Sequence, residues 1–186
     1  MICKGFTLIE LLIVVAIIAI LAAVAVPNFL EAQVRAKVSR ANAEHQALAL
    51  AINAYVVDHN VFPAYGHPAD YALFAGEPIV HTPASLSTPI GYLGSLPNDV
   101  FPGRRTGSSS EATPYFYMHD YAVVYLGKSQ AAGHVNDHYF RLTGARLPVR
   151  WTVWSYGPDL ADDHGVILYD PSNGTISRGD LMRFGP

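Results

Sequence analysis

The hydrophobic pattern divides the chain into three textures. From Leu11 to Val26 no side chain is polar (LLIVVAIIAILAAVAV). From Leu30 onward, Leu30, Val34, Val38, Ala41, His45, Leu48, Ile52 and Tyr55 recur at spacings of three and four, while Glu31, Arg35, Lys37, Arg40 and Glu44 lie mostly off that stripe. This is the period of an amphipathic helix, running to about Val57. Alanines at 32, 36, 41, 43, 47, 49, 51 and 54 favour helix and keep it slim. Joined to the apolar run, it predicts one helix of about 50 residues. At 1.5 Å per residue, the stretch from Phe6 to Val26 spans about 30 Å, the thickness of a bilayer core.

Pro27 follows the apolar run directly. It lacks an N–H and crowds the preceding turn, so a kink is expected near Ala23–Val26. Between Asp58 and Pro114 the pattern dissolves. Prolines at 63, 68, 78, 83, 89, 97, 102 and 114 interrupt regular structure, and only short helical or 3₁₀ turns near Tyr71–Phe74 and Leu93–Leu96 are expected. Beyond Pro114 come strand-like runs: Tyr115–Leu126, Tyr139–Thr143 and Arg150–Tyr156, the last alternating Trp151 and Val153 against Thr152 and Trp154. Val166–Tyr169 and Thr175–Ser177 flank the turn Asp170-Pro171-Ser172-Asn173-Gly174 and predict a C-terminal hairpin. About four antiparallel strands packed on the amphipathic half of the helix give an α+β fold.

Glu10 changes the reading of the apolar run. A carboxylate in hydrocarbon costs about 2.5–3.5 kcal/mol on insertion scales, so an acid there is a functional candidate. A secretory signal with Ala23-Val24-Ala25 as its cleavage site is the competing interpretation. Signal peptides do not usually carry an acid at the front of the apolar region. Gly5-Phe6-Thr7-Leu8-Ile9-Glu10-Leu11 resembles the processing site of type IV pilins and type II secretion pseudopilins, and the resemblance runs from Lys4 to Phe29. It implies that a prepilin peptidase cuts after Gly5 and methylates Phe6. It further implies that Glu10, Thr7 and Pro27 serve assembly, with a meltable stretch at the proline. The implied organisation is a leader at 1–5, a membrane and filament-core half-helix at 6–27, an amphipathic half at 28–57, a variable connection at 58–114 and a sheet at 115–186. The subunit would wait in the cytoplasmic membrane with its C-terminal domain in the periplasm, then join a helical homopolymer. Its other partners would be an inner-membrane assembly platform and minor pseudopilins.

Composition narrows this further. The 51% hydrophobic content is inflated by the first helix, and the net charge of −3, without a basic patch, argues against nucleic acid. Lys4 is the only charge before the span and keeps the N-terminus cytoplasmic. The one cysteine, Cys3, lies in the expected leader, which excludes a disulfide-stapled mature domain.

Three acids in Ser155-Tyr156-Gly157-Pro158-Asp159-Leu160-Ala161-Asp162-Asp163 repel one another unless solvated or bound to a cation. Calcium takes six to eight oxygens from such loops. The segment resembles the calcium loop of major pseudopilins, in which Asp159 matches the motif and Asp162, Asp163 or Asp180 would supply the second acid. A solvated acidic turn is the alternative. His59, His67 and His81 lack ligand spacing, and His134 and His138 sit in a loop-like context that argues against zinc. His45 reads as a partly buried helix residue. Asn173-Gly174-Thr175 fits a glycosylation acceptor but is more simply a turn. No nucleophile stands beside a base, so no catalysis is expected. The resulting expectation is a structural subunit of a type II secretion pseudopilus. The alternatives are a surface type IV pilus subunit and a membrane-tethered periplasmic binding protein.

Overall fold

Helix α1 spans Leu8–His59, 52 residues without a break. At 1.5 Å per residue it is about 78 Å long. Thr7 caps its start, and it ends where Asn60 turns left-handed (φ 55°) and its N–H bonds to the Val56 carbonyl at 2.8 Å. Asparagine tolerates that conformation better than most side chains. The helix continues through Pro27, whose missing N–H leaves the Ala23 carbonyl without its intrahelical donor. The computed structural model describes residues 7–63, 73–74, 77–78, 82–101, 114–119, 149–161, 163 and 167–186.

The two halves of α1 have different surroundings. Every residue from Thr7 to Gln33 is exposed, whereas Ala41, His45, Leu48, Ala49, Ala51 and Ile52 are buried. Packing begins with the half-buried Val34 and Val38. Leu30, the first member of the expected stripe, remains 55% exposed and belongs to the free half. The surface pairs Glu31–Arg35 (3.3 Å) and Arg40–Glu44 (2.8 Å) bridge successive turns.

The opposing layer is an antiparallel sheet of β3 (Phe116–His119), β4 (Trp151–Ser155) and β5 (Leu181–Gly185), in the order β3-β4-β5. Tyr117, Val153 and Arg183 lie in one row across it, and Phe116, Trp154 and Met182 in the next. Successive side chains on a strand face opposite ways, so Tyr117, Val153, Trp151 and Leu181 join Ala41, Leu48 and Ile52 in the core. The strand expected within residues 150–156 is observed, but burial does not alternate along it: Thr152 is buried with Trp151 and Val153, and its hydroxyl donates to the Arg183 carbonyl. Leu86 and Phe101, from the proline-rich connection, complete the same core. A two-residue ladder, β1 (Leu73–Phe74) with β2 (Glu77–Pro78), precedes them.

Several expectations change. Leu73 and Phe74 form strand rather than a helical turn, and the 3₁₀ turn falls at Ala84–Leu86 instead of Leu93–Leu96. The C-terminal hairpin is replaced by a loop. Asp170 caps a 3₁₀ turn at Pro171–Asn173, Ser177 Oγ donates to the Asp170 carbonyl at 2.8 Å, and Tyr169 donates to the Thr175 carbonyl. These side-chain bonds hold the loop in place of a ladder, and the last strand forms at Leu181–Gly185. The expected strand 115–126 is described only through His119, and Tyr139–Thr143 lies outside the described residues.

This arrangement predicts that Leu48→Ala, which empties a fully buried site, costs about 2–5 kcal/mol. Leu50→Ala, two residues on but 62% exposed, should cost under about 0.5 kcal/mol. Denaturant unfolding of the detergent-solubilised protein measures both. Equal losses would contradict this assignment of the packed face.

Candidate functional site

At the start of α1, Thr7 and Glu10 form a reciprocal cap. The Glu10 N–H donates to Thr7 Oγ1 at 3.3 Å, and Glu10 Oε2 accepts from the Thr7 N–H (2.9 Å) and hydroxyl (2.8 Å). The helix thereby satisfies two N-terminal donors and places an acid at the positive end of its dipole. The signal was present in the sequence as Thr-x-x-Glu. The expectation of an assembly role for Glu10 and Thr7 did not include this bond between them. Gly5 and Phe6 lie outside the described residues; Pro27 sits on the exposed half. Thr7, Glu10 and the bare apolar run therefore form one continuous exposed surface. Among the described residues, α1 is the one helix long and apolar enough to cross a membrane.

Of the four acids expected at a calcium site in the C-terminal loop, Asp159, Asp163 and Asp180 are among the described residues. Ser155 Oγ donates to Asp99 Oδ1 at 2.7 Å, so this hydroxyl faces the connecting region. Asp159 Oδ1 accepts from the Ala161 N–H. Asp163 is buried and paired with Arg178. Asp180, fully buried, accepts a long 3.5 Å bond from the Asp163 N–H. Asp162 is outside the described residues, as are His67, His81, His134 and His138. Among the described residues no three His, Cys, Asp or Glu side chains are grouped to hold a metal. The buried carboxylate of Asp163 already faces an arginine. His59 stacks on Tyr55, and its Nδ1 donates to the Tyr55 carbonyl (3.1 Å).

Two glycines make the loop's tight crossing possible. Gly157 (φ +74°) has no room for a Cβ, which would stand 2.5 Å from the Gly179 carbonyl oxygen. Gly179 (φ +129°) is pressed as closely on the Leu168–Tyr169 backbone. The glycine of the Ser-x-Gly-x-Asp segment therefore serves a backbone crossing.

Between helix and sheet runs a polar seam that sequence reasoning missed. Glu44 accepts from Arg40 Nε (2.8 Å) and from the Tyr115 hydroxyl (2.6 Å). Asp99 Oδ1 accepts from the Phe101 N–H and from Ser155. Burial pushes the Asp99 carboxyl up to about 6, its two hydrogen bonds opposing this. His45, edge-on to the Tyr115 ring at 4.7 Å, is pushed down to about 4 by burial and then by the Arg183 charge. Nothing in the residue spacing brings Asp99 to Ser155.

Comparison with known proteins joins these features. The model of the prokaryotic N-terminal methylation motif matches residues 1–26. The type IV major pilin protein PilA of Myxococcus xanthus (strain DK1622) is 33% identical over 123 residues, covering 60% of this chain and 56% of that protein. Over this part the chain is similar to type IV pilins. A fimbrial protein of Pseudomonas aeruginosa is 45% identical over 67 residues, 36% of this pilin-like chain and 44% of the relative. The type IV major pilin protein PilE of Neisseria gonorrhoeae is 47% identical over 60 residues, 32% and 36% respectively. The chain thus spans between about a third and somewhat over half of these relatives. No solved structure matches it.

The seam predicts opposed pH dependences. His45 has a folded-state pKa below its unfolded value, so its contribution to stability grows as pH rises from about 4 to about 6.5. Asp99 has a raised folded-state pKa, so its contribution is fully present below about 4 and is lost as pH rises through about 6. Each amounts to roughly 3 kcal/mol and the two largely cancel. Asp99→Asn should make stability rise more steeply with pH than in the wild type between pH 4 and 6, as followed by urea midpoints. His45→Gln should make it fall relative to wild type. Parallel profiles for all three proteins would contradict the assignment.

Proposed function

We propose that this chain is the structural subunit of a membrane-derived helical filament of the type IV pilus kind. The observation that carries the reading is the continuity of α1: one half packs a folded domain, while the other exposes apolar side chains from Leu8 to Leu30. A helix of this sort suits two successive apolar settings, first the bilayer and then a bundle of like helices. The relatives are named as pilins and fimbrial proteins, which favours a pilus and a structural rather than catalytic role. A type II secretion pseudopilus is the second reading, favoured by Ser155-x-Gly157-x-Asp159 and by the lack of any cysteine beyond Cys3. In either case the partners are further copies of this chain, a prepilin peptidase and an inner-membrane assembly platform, with minor pseudopilins in the second case.

Filaments sheared from cells should contain this chain beginning at methylated Phe6, as read by mass spectrometry of the N-terminal peptide. An intact Met1, or a new terminus near Ala25, overturns the processing assignment. Filaments absent from the cell surface, with loss of protein export on deletion of the gene, favour the pseudopilus instead.

Glu10 then has a role in assembly. Cleavage creates a cationic amine on Phe6 at the membrane boundary. In a staggered bundle, that amine on an incoming subunit meets Glu10 of its neighbour. In low dielectric a well-formed pair offsets much of the desolvation of both charges, and a misplaced subunit leaves them unpaired. Glu10→Leu should be cleaved and inserted normally yet lose most filament assembly. Normal filament yield from the leucine variant would contradict this role.

A further inference from the structure

Arg178 and Asp163 make an uneven pair. The Asp163 side chain is 3% exposed and that of Arg178 is 70% exposed. Arg178 reaches in from solvent and grips one oxygen twice, with Nε at 2.6 Å and Nη2 at 2.5 Å from Oδ1. The other oxygen, Oδ2, is buried and has no hydrogen-bond partner among the described residues. The field of Asp159 also reaches the guanidinium and holds Arg178 further in its charged form. Asp180 is buried beside the Asp163 backbone. Thus Asp163 by contact and Asp159 through its field face a cation that the chain itself supplies.

The position of Arg178 in the chain adds a consequence. It immediately precedes Gly179, which crosses the Leu168–Tyr169 backbone, and Asp180, whose N–H bonds to the Ile167 carbonyl at 2.9 Å and whose carbonyl accepts from Tyr169 at 3.0 Å. β5 begins at Leu181. An ion pair from Arg178 back to Asp163 therefore ties the loop that leaves β4 to the segment that enters β5. We infer that Arg178 is an internal cation that closes the C-terminal loop, taking the place of a divalent metal ion between Asp163 and the entry to β5. The loop then needs no calcium to fold, and the final strand is anchored in chelating as well as calcium-rich surroundings.

Thermal unfolding of the full chain in detergent micelles tests this, followed by tryptophan fluorescence from Trp151 and Trp154 on β4. The wild type should melt at the same temperature in excess EDTA and in millimolar calcium. Arg178→Gln leaves a buried carboxylate uncompensated and should lower the melting temperature by about 5–10 °C. The double variant Asp163→Asn with Arg178→Gln removes both charges and should regain at least half of that loss, or restore folding if the single variant fails to fold. A wild type that loses stability in EDTA overturns the inference, because the loop then holds a metal ion. So does an Arg178→Gln variant that melts like the wild type, or a double variant no more stable than the single one.

Discussion

One helix has to satisfy two environments, and that constraint shapes the whole molecule. An isolated helix gains little stability in water from propensity alone and depends on burial of a face. Here only the half beyond Val34 obtains burial from its own chain. The earlier half carries Leu, Ile and Val on every side, so no amphipathic docking on a small sheet could cover it. The domain therefore uses the smaller residues of the second half, Ala41, Ala49 and Ala51, around the larger Leu48 and Ile52. The absence of Gly, and of Pro apart from Pro27, between Leu8 and His59 keeps both halves in one rod.

The helix and its packed face were legible in the sequence because both are local. The period of three and four needs no knowledge of distant residues, and the apolar run declares itself. β4 was legible for the same reason: Trp151 and Val153 alternate with Trp154. The last strand was not. Leu181–Gly185 contains Arg183, Gly185 and only partly buried Met182 and Phe184, so its pattern is weak and its pairing to β4 is set by register. The turn residues 170–174 promised a hairpin, but side-chain caps from Asp170 and Ser177 served the backbone first.

The candidate sites divide along the same line. Thr7 and Glu10 are three residues apart, and their reciprocal bonds follow from helix geometry. Ser155 with Asp99, and Asp163 with Arg178, are 56 and 15 residues apart. Such partnerships are properties of the folded chain. The acidic segment was visible as a charge problem, but sequence alone left its solution open between water and a metal ion, and a basic side chain 15 residues on was not foreseen. The seam between helix and sheet shows the same limit: His45 reads as a helix residue, while its displaced titration depends on burial in the fold and on the Arg183 charge.

The alanines on the buried face have a geometric consequence. Small side chains let a strand layer approach a helix closely, and interlayer distance grows with the side chains placed between them. Ala41, Ala49 and Ala51, flanking Leu48 and Ile52, thus help set how far the sheet stands from the helix axis. In an assembly with these helices at its centre, that spacing fixes the position of the outer wall. The width of the fibre would then be encoded in methyl groups that never reach its surface.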